Sequence, residues 1–317
     1  MASWTSIASV LAMVVTIHHA SSDGLRRTSM GKVDLHSLYV PPFWREESIL
    51  AGYGEPDGIP GIPAWSEEAH LEFMSQANII DSILSITSPG THLTPGNNTH
   101  ARRLSRQCNE FAADLKRRRP EEFGFWAALP SRTSSCLHEC SWRFYLGDES
   151  LSPLFQELDR QNVTVFVHPT SPCIRGAHGN NPQPASPLAE FYPNPMFEFL
   201  FEGARAVTNL FLSGTVDFAS SILGLPLQIN SDSVKVAFAR SFYFDLAGFV
   251  FPDQIYGLLR YVGARSIVYG SDYPYTPGPG IVVLTETINE HMDEAFPDPR
   301  DVEDIFAGIA KRILDRL

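Results

Sequence analysis

The sequence predicts an α/β protein, a (β/α)8 barrel of the TIM type, and three observations carry that expectation. Strand-like apolar runs alternate with segments of helical period along most of the chain, the pattern of a parallel sheet or barrel. A length of 317 residues suits one barrel domain without forcing a split. Ligand-capable side chains stand at or just past the ends of several strand candidates, where barrel enzymes build their sites.

In chain order the strand candidates are Lys32–Leu35, Ile80–Ile86, Phe123–Ala128, Val163–Val167, Phe242–Leu246 and Ser266–Tyr269. Between them, Ala101, Leu104, Cys108, Phe111, Ala112 and Leu115 recur on one helical face and stop before Pro120. Met196, Phe197, Leu200, Phe201, Ala204, Val207, Leu210 and Phe211 do the same and are closed by Gly214. A last helix near Val302–Leu314 is expected to pack on the outside of the sheet. The connection from Val40 to Ser66 is rich in Gly and Pro and is expected to be a long loop. Its aromatics Phe43, Trp44, Tyr53 and Trp65 either line a pocket or simply pack the loop. About six of eight barrel strands are recognisable, so the barrel is expected to be incomplete or distorted.

Composition narrows the partners. Hydrophobic residues at 44% and charged residues at 19% are ordinary for a globular protein. The formal net charge of -12 argues against nucleic acid and anionic membrane, both of which would repel the chain, and favours a small-molecule substrate. Cys108, Cys136, Cys140 and Cys173 form neither paired metal knuckles nor a disulfide framework, so free thiols are the preferred reading over a metal half-site at Cys136 and Cys140. Residues 1–29 are set apart as an N-terminal extension, and 30–317 as one domain. Ile7 to Ile17 with the small residues after it has the outline of a secretory signal, although no Lys or Arg precedes it. Two N-x-T sequons, at Asn97 and Asn162, would matter only on a secretory route.

Three residues could carry chemistry. His36 closes the run Val33-Asp34-Leu35, His168 follows Val163–Val167, and Asp272 follows Tyr269-Gly270-Ser271. Each alone is weak, because a polar residue at a strand end is more often structural. Two His nitrogens and an Asp oxygen at the same end of one barrel form a donor set suited to Zn²⁺ or another divalent metal, with a position left open for substrate. Asp245 either orients one of these ligands or ends its strand, and the second is the preferred reading.

The segments Lys32 to Pro42, Val165-Phe166-Val167-His168-Pro169, Phe242 to Gly248 and Tyr269-Gly270-Ser271-Asp272-Tyr273-Pro274 resemble the amidohydrolase-related metal-dependent decarboxylases, the aminocarboxymuconate-semialdehyde decarboxylase family. In wording they are most similar to its fungal branch acting on 6-methylsalicylic acid. Ser85 to Leu93 and Arg106 to Leu115 resemble the same branch, and the likeness covers most of residues 32 to 276. The resemblance implies an amidohydrolase-like barrel, one divalent metal held by His36, His168 and Asp272, and non-oxidative decarboxylation of a small hydroxylated aromatic acid of the 6-methylsalicylic or orsellinic type in polyketide metabolism. It favours the cytoplasm, with secretory entry through residues 1–22 as the alternative, and is compatible with a homo-oligomer.

The departures from the family pattern are specific. Leu38 stands where the first strand carries a second histidine. A strand ending in a Pro-His-Gly-Gly type motif, which would supply an acid or base, is missing between Val216 and Ser231, and a strand and helix are missing between Pro130 and Tyr145. The resemblance leaves Asp272 as both ligand and proton donor, with the metal expected to bind the carboxylate and phenolate oxygens. The competing readings are a metal-dependent hydrolase on the same scaffold, a degenerate barrel serving as a binding protein, and a truncated product that folds poorly because missing strands expose sheet edges.

Overall fold

The computed structural model describes residues 31–130, 145–170, 173–175, 182–184, 192–216 and 230–315. Strand β1 (Lys32–Leu38) is buried at every position, so neighbours cover both of its faces, as in a parallel sheet. It pairs in parallel with β2 (Ile79–Ser85), which pairs in parallel with β3 (Phe123–Phe125). Two further strands, β4 (Cys173–Arg175) and β5 (Pro182–Pro184), form a separate antiparallel pair. The remaining two, β6 (Phe244–Asp245) and β7 (Ile267–Val268), pair in parallel.

The β7 end runs alongside β1. Leu35 N–H donates to Tyr269 O at 3.1 Å, Asp272 N–H to His36 O at 2.8 Å and Leu38 N–H to Tyr273 O at 2.7 Å, a parallel register. The described residues thus carry a parallel arc in the order β6-β7-β1-β2-β3, and the ends of β6, β7 and β1 converge at one rim.

Local chemistry explains the helices that pack this arc. Helix α1 (Pro42–Leu50) starts on a proline, whose missing N–H costs nothing in the first turn. Helix α2 (Glu67–Ala77) is capped by Ser66, whose side chain accepts from Ala69 N–H, and it ends on Asn78 in the left-handed region at φ 54°. Helix α3 (Asn98–Arg118) is capped by Asn97 accepting from His100 N–H, and Lys116, Arg117 and Arg118 in its last turn suit the helix dipole. Ala101, Leu104, Cys108, Ala112 and Leu115 form its buried face, as the spacing predicts. The C-terminal segment is helical from Pro299 to Leu314 with a π-turn at Asp304–Gly308. Its Ala307, Ile309, Ala310 and Ile313 pack on Val33, Leu35, Ile83 and Val268, so the expected outer helix is in place.

Several expectations are corrected. The predicted strand Val163–Val167 forms no strand. Its valines are 36%, 42% and 48% exposed, so β-branched alternation is present without the ladder and two-sided burial that stabilise a strand. The other strand candidates hold, but Phe123–Ala128, Phe242–Leu246 and Ser266–Tyr269 shorten to β3, β6 and β7. The connection Val40–Ser66 is not wholly loop, because α1 and a short turn at Pro56–Gly58 lie within it. Trp44 and Tyr53 are buried, with Trp44 Nε1 donating to Gly90 O at 2.9 Å, so these aromatics pack the connection rather than line a pocket. Helix α4 (Asn194–Leu212) forms as predicted, but Met196, Phe197, Leu200 and Phe201 are exposed while Glu198, Phe199, Glu202 and Leu210 are buried, the reverse of much of the predicted face.

Cys108 is a buried free thiol. Cys136, Cys140, residues 1–29 and most of the two stretches where family segments are missing lie outside the described residues. Among the described residues no helix is long and apolar enough to cross a membrane.

Candidate metal centre

The three ligand candidates come together. One ligand atom from each of His36, His168 and Asp272 lies within 4.8 Å of the others. His36 is on β1, whose pairing with β2 shifts register between Asp34 and Ser37: these two pair with Ser82 and Leu84, which share one face of β2, while His36 meets Phe166 and His168 on the other side. Leu38 is completely buried, an apolar side chain two residues beyond the ligand candidate. Asp272 sits just past β7 at φ 61°, a conformation costly for a residue with a Cβ. It is held there by its N–H to His36 O at 2.8 Å, Thr276 N–H to its own O at 2.9 Å, and Thr276 Oγ1 to its Oδ2 at 2.9 Å.

Close approach is possible because Gly270 separates β7 from this turn. A Cβ there would stand 2.7 Å from His36 Cβ and 3.1 Å from Asp245 Cβ. Beneath the rim, buried Asp34 accepts from His36 N–H at 3.1 Å, Ser271 N–H at 3.0 Å and Ser271 Oγ at 2.5 Å, fastening β1 to the turn carrying Asp272. Burial pushes the Asp34 carboxyl up to about 7, against the opposing pull of Ser271 and His36.

The nitrogens of both imidazoles are directed. His168 Nδ1 lies 2.6 Å from Pro169 O, and a carbonyl can only accept, so the proton sits on Nδ1 and the Nε2 lone pair is left for a metal. Burial, then the charge on His36, pushes His168 down to about 4, so it is neutral and ready to ligate near neutral pH. His36 Nδ1 is 3.1 Å from Asp245 Oδ2, and its Nε2 is 3.5 Å from Asp272 Oδ1. Burial opposes charge on His36, but the two carboxylates outweigh it and hold its pKa well above the usual value. Burial likewise acts to raise Asp245, and the neighbouring His36 charge overcomes it and lowers that carboxyl.

The site fits a cation. Neither His36 nitrogen has an aligned hydrogen-bond partner despite complete burial of both atoms, and the carboxylates reach them only off-line or at long range. Donors about 2.1 Å from one tetrahedral ion stand about 3.4 Å apart, so donors that now lie within 4.8 Å of one another need to close by at most about 1.4 Å. Asp245 ends its strand, as the preferred reading had it, and it also lies against His36 Nδ1, the other role the sequence offered. Sequence reasoning also missed an aromatic wall. Phe166 meets His36 edge-on at 5.1 Å and stacks on Trp126 at 5.9 Å and 10°, and Phe199 meets His168 edge-on at 6.0 Å. The position of Phe166, two residues before His168, was the available signal.

No family profile matches the chain. The chain is 28% identical over 334 residues to a 6-methylsalicylic acid decarboxylase of Penicillium expansum, spanning 91% of this chain and 97% of that one. It is 28% identical over 319 residues to a 6-methylsalicylic acid decarboxylase of Aspergillus aculeatus, spanning 86% and 92%. Among solved structures, an amidohydrolase II protein superposes with a TM-score of 0.69 at 23% identity, covering 90% of this chain and all of that one. A dihydroxybenzoic acid decarboxylase of Polaromonas, solved with manganese and 2-nitroresorcinol, superposes with a TM-score of 0.65 at 16% identity, covering 90% and 97%. The likeness read from the motifs is borne out: the relatives are fungal 6-methylsalicylic acid decarboxylases, and the structural neighbours are aromatic acid decarboxylases of the amidohydrolase fold.

Proposed function

We propose that this protein removes CO₂ non-oxidatively from a small hydroxylated aromatic acid of the 6-methylsalicylic or orsellinic type, using one divalent metal held by His36, His168 and Asp272. The observation that carries the reading is the convergence of these three donors at one rim of the barrel arc, in a chain whose relatives perform this reaction. Those relatives favour decarboxylation over hydrolysis on the same scaffold. A bound metal, zinc or manganese, would supply Lewis acidity and a template for the substrate's carboxylate and hydroxyl oxygens.

The chain's own groups do the rest. A carboxylate on a benzene ring leaves badly, because the pair it leaves behind lies in the ring plane and is not delocalised. Protonating the carbon that bears the carboxylate avoids this, and an ortho hydroxyl makes it feasible by donating density into the ring. Asp272 is the group we assign to deliver that proton. The bond to the carboxylate then breaks, its electron pair restores the aromatic sextet, and CO₂ departs. Asp245 holds His36 in orientation. Phe166, with Trp126 behind it, presents an apolar wall beside His36 that keeps water away and suits a planar substrate.

The test is CO₂ release from 6-methylsalicylic and orsellinic acids together with metal content, comparing the wild type with His168→Ala. Stoichiometric metal and turnover, both lost in the variant, are expected. A folded wild type with neither metal nor turnover would overturn the proposal and leave a degenerate barrel.

A further inference from the structure

His70 is outside the ligand set, yet it touches the residues next to two of its members. It lies on α2, is completely buried, and meets Tyr273 edge-on at 4.9 Å and Phe123 at 5.3 Å. Its nitrogens are fully committed. Trp65 Nε1 lies 2.9 Å from Nδ1, and an indole nitrogen can only donate, so Nδ1 must be bare and the neutral ring carries its proton on Nε2. That N–H is shared between Ser82 Oγ at 3.1 Å and Ser37 Oγ at 3.3 Å, on β2 and β1. Burial pushes His70 down to about 3, in keeping with a ring that is neutral near neutral pH.

Two of its partners adjoin ligand candidates in the chain, and another, Trp65, ends the connection of residues 51–66. Ser37 follows His36 and faces the opposite side of β1, so it is gripped from behind the ligand. Tyr273 follows Asp272 and stacks on Phe73 at 4.1 Å and 4°. Trp65 ends the connection that leaves α1, packs against Tyr39 and Phe111, and lies close to Ile62 and Pro63, whose carbonyls accept from Arg45 Nη1 at 2.5 and 3.0 Å.

We infer that His70 is a positioning residue: from behind the strands it fixes the backbone carrying His36 and Asp272, and through Trp65 it ties the connection of residues 51–66 to that same backbone. One imidazole thereby holds two things by different nitrogens, the connection through Nδ1 and the strands through Nε2. The metal-affinity arm rests on the metal centre proposed above, whereas the arm concerning the connection does not.

Three variants separate positioning from simple core packing. His70→Phe removes both nitrogens, His70→Asn keeps an acceptor near the Nδ1 position, and Trp65→Phe removes the donor. Amide hydrogen exchange over residues 51–66 in metal-free protein and Zn²⁺ affinity by chelator competition are read beside the melting temperature. His70→Phe is expected to speed exchange and weaken Zn²⁺ binding, each about tenfold. Trp65→Phe should speed exchange with at most about a twofold loss of affinity, and His70→Asn should restore slow exchange without restoring affinity. Lower melting temperatures with wild-type exchange and affinity would overturn the inference. Should His70→Phe not fold, Ser37→Ala and Trp65→Phe carry the test, and unchanged affinity in the first with unchanged exchange in the second overturns it. Wild-type protein that binds no Zn²⁺ sinks the metal reading alone, because the exchange arm stands without it.

Discussion

Replacing Asp245 with asparagine tests how the metal centre is built. In the wild type, Oδ1 accepts from Ala247 N–H at 3.0 Å and Oδ2 lies 3.1 Å from His36 Nδ1. An amide has one acceptor oxygen, so it can keep the Ala247 bond or face His36 Nδ1–H, but not both. Loss of such an outer partner to a metal-binding histidine costs 10- to 100-fold in affinity, about 1.4 to 2.7 kcal/mol. A second signature has the opposite sense. Asp245 helps to raise the His36 pKa, so its neutralisation lowers that pKa and relieves the competition between proton and metal. Asp245→Asn is therefore expected to bind Zn²⁺ or Mn²⁺ about 10- to 100-fold more weakly at pH 8 and to show a flatter pH dependence between pH 6 and 8. Chelator competition on metal-stripped protein at three pH values measures both, with circular dichroism as the check on folding. Wild-type affinity and slope in a folded variant would refute the reasoning and return Asp245 to the role of a strand terminus.

Three further outcomes follow from the same geometry. Metal loading near pH 7 should release about one proton, because His36 is held protonated by its carboxylates whereas His168, at about 4, is already neutral; calorimetry in buffers of different ionisation enthalpy reads the number, and no buffer dependence would contradict it. His70 is neutral when folded but takes a proton below its ordinary pKa of 6.5 when unfolded, so the stability it contributes is complete above pH 6.5 and is lost as pH falls toward about 3. The slope in that window is at most about 1.4 kcal/mol per pH unit, and His70→Phe should have a shallower acid-side slope than the wild type in urea titrations. Asp34→Ala leaves His36 N–H and the Ser271 hydroxyl without their acceptor, while Ser271 N–H keeps His36 O at 3.2 Å, so a loss of about 2 kcal/mol or more is expected, and a loss below about 1 kcal/mol would show that those bonds contribute little.

What the sequence disclosed and what it withheld divide along a physical line. His36, His168 and Asp272 were readable because each follows a run of apolar residues, and strand ends are where barrel sites gather. Proximity could not be read, since it depends on Gly270 letting β6, β7 and β1 approach and on Asp34 fastening the Asp272 turn to β1, pairings 237 residues apart in the chain. The same limit explains Val163–Val167. Its alternating valines satisfy the local preference for a strand, but a strand also needs neighbours, and those are a property of the fold rather than of the segment.

The Val40–Ser66 connection erred the other way. Its Gly and Pro suggested a loop, yet Pro42 at the first helical position assists α1 rather than breaking it. Its aromatics posed a choice between pocket and packing that local sequence cannot make. Trp65 shows why the choice was too narrow. It is packed against Tyr39 and Phe111, and its indole N–H also fixes the tautomer of His70, whose own N–H reaches the residue following His36. A side chain can thus belong to the core and still govern the centre, provided its hydrogen bond has a direction and the strand it reaches carries a ligand on its other face.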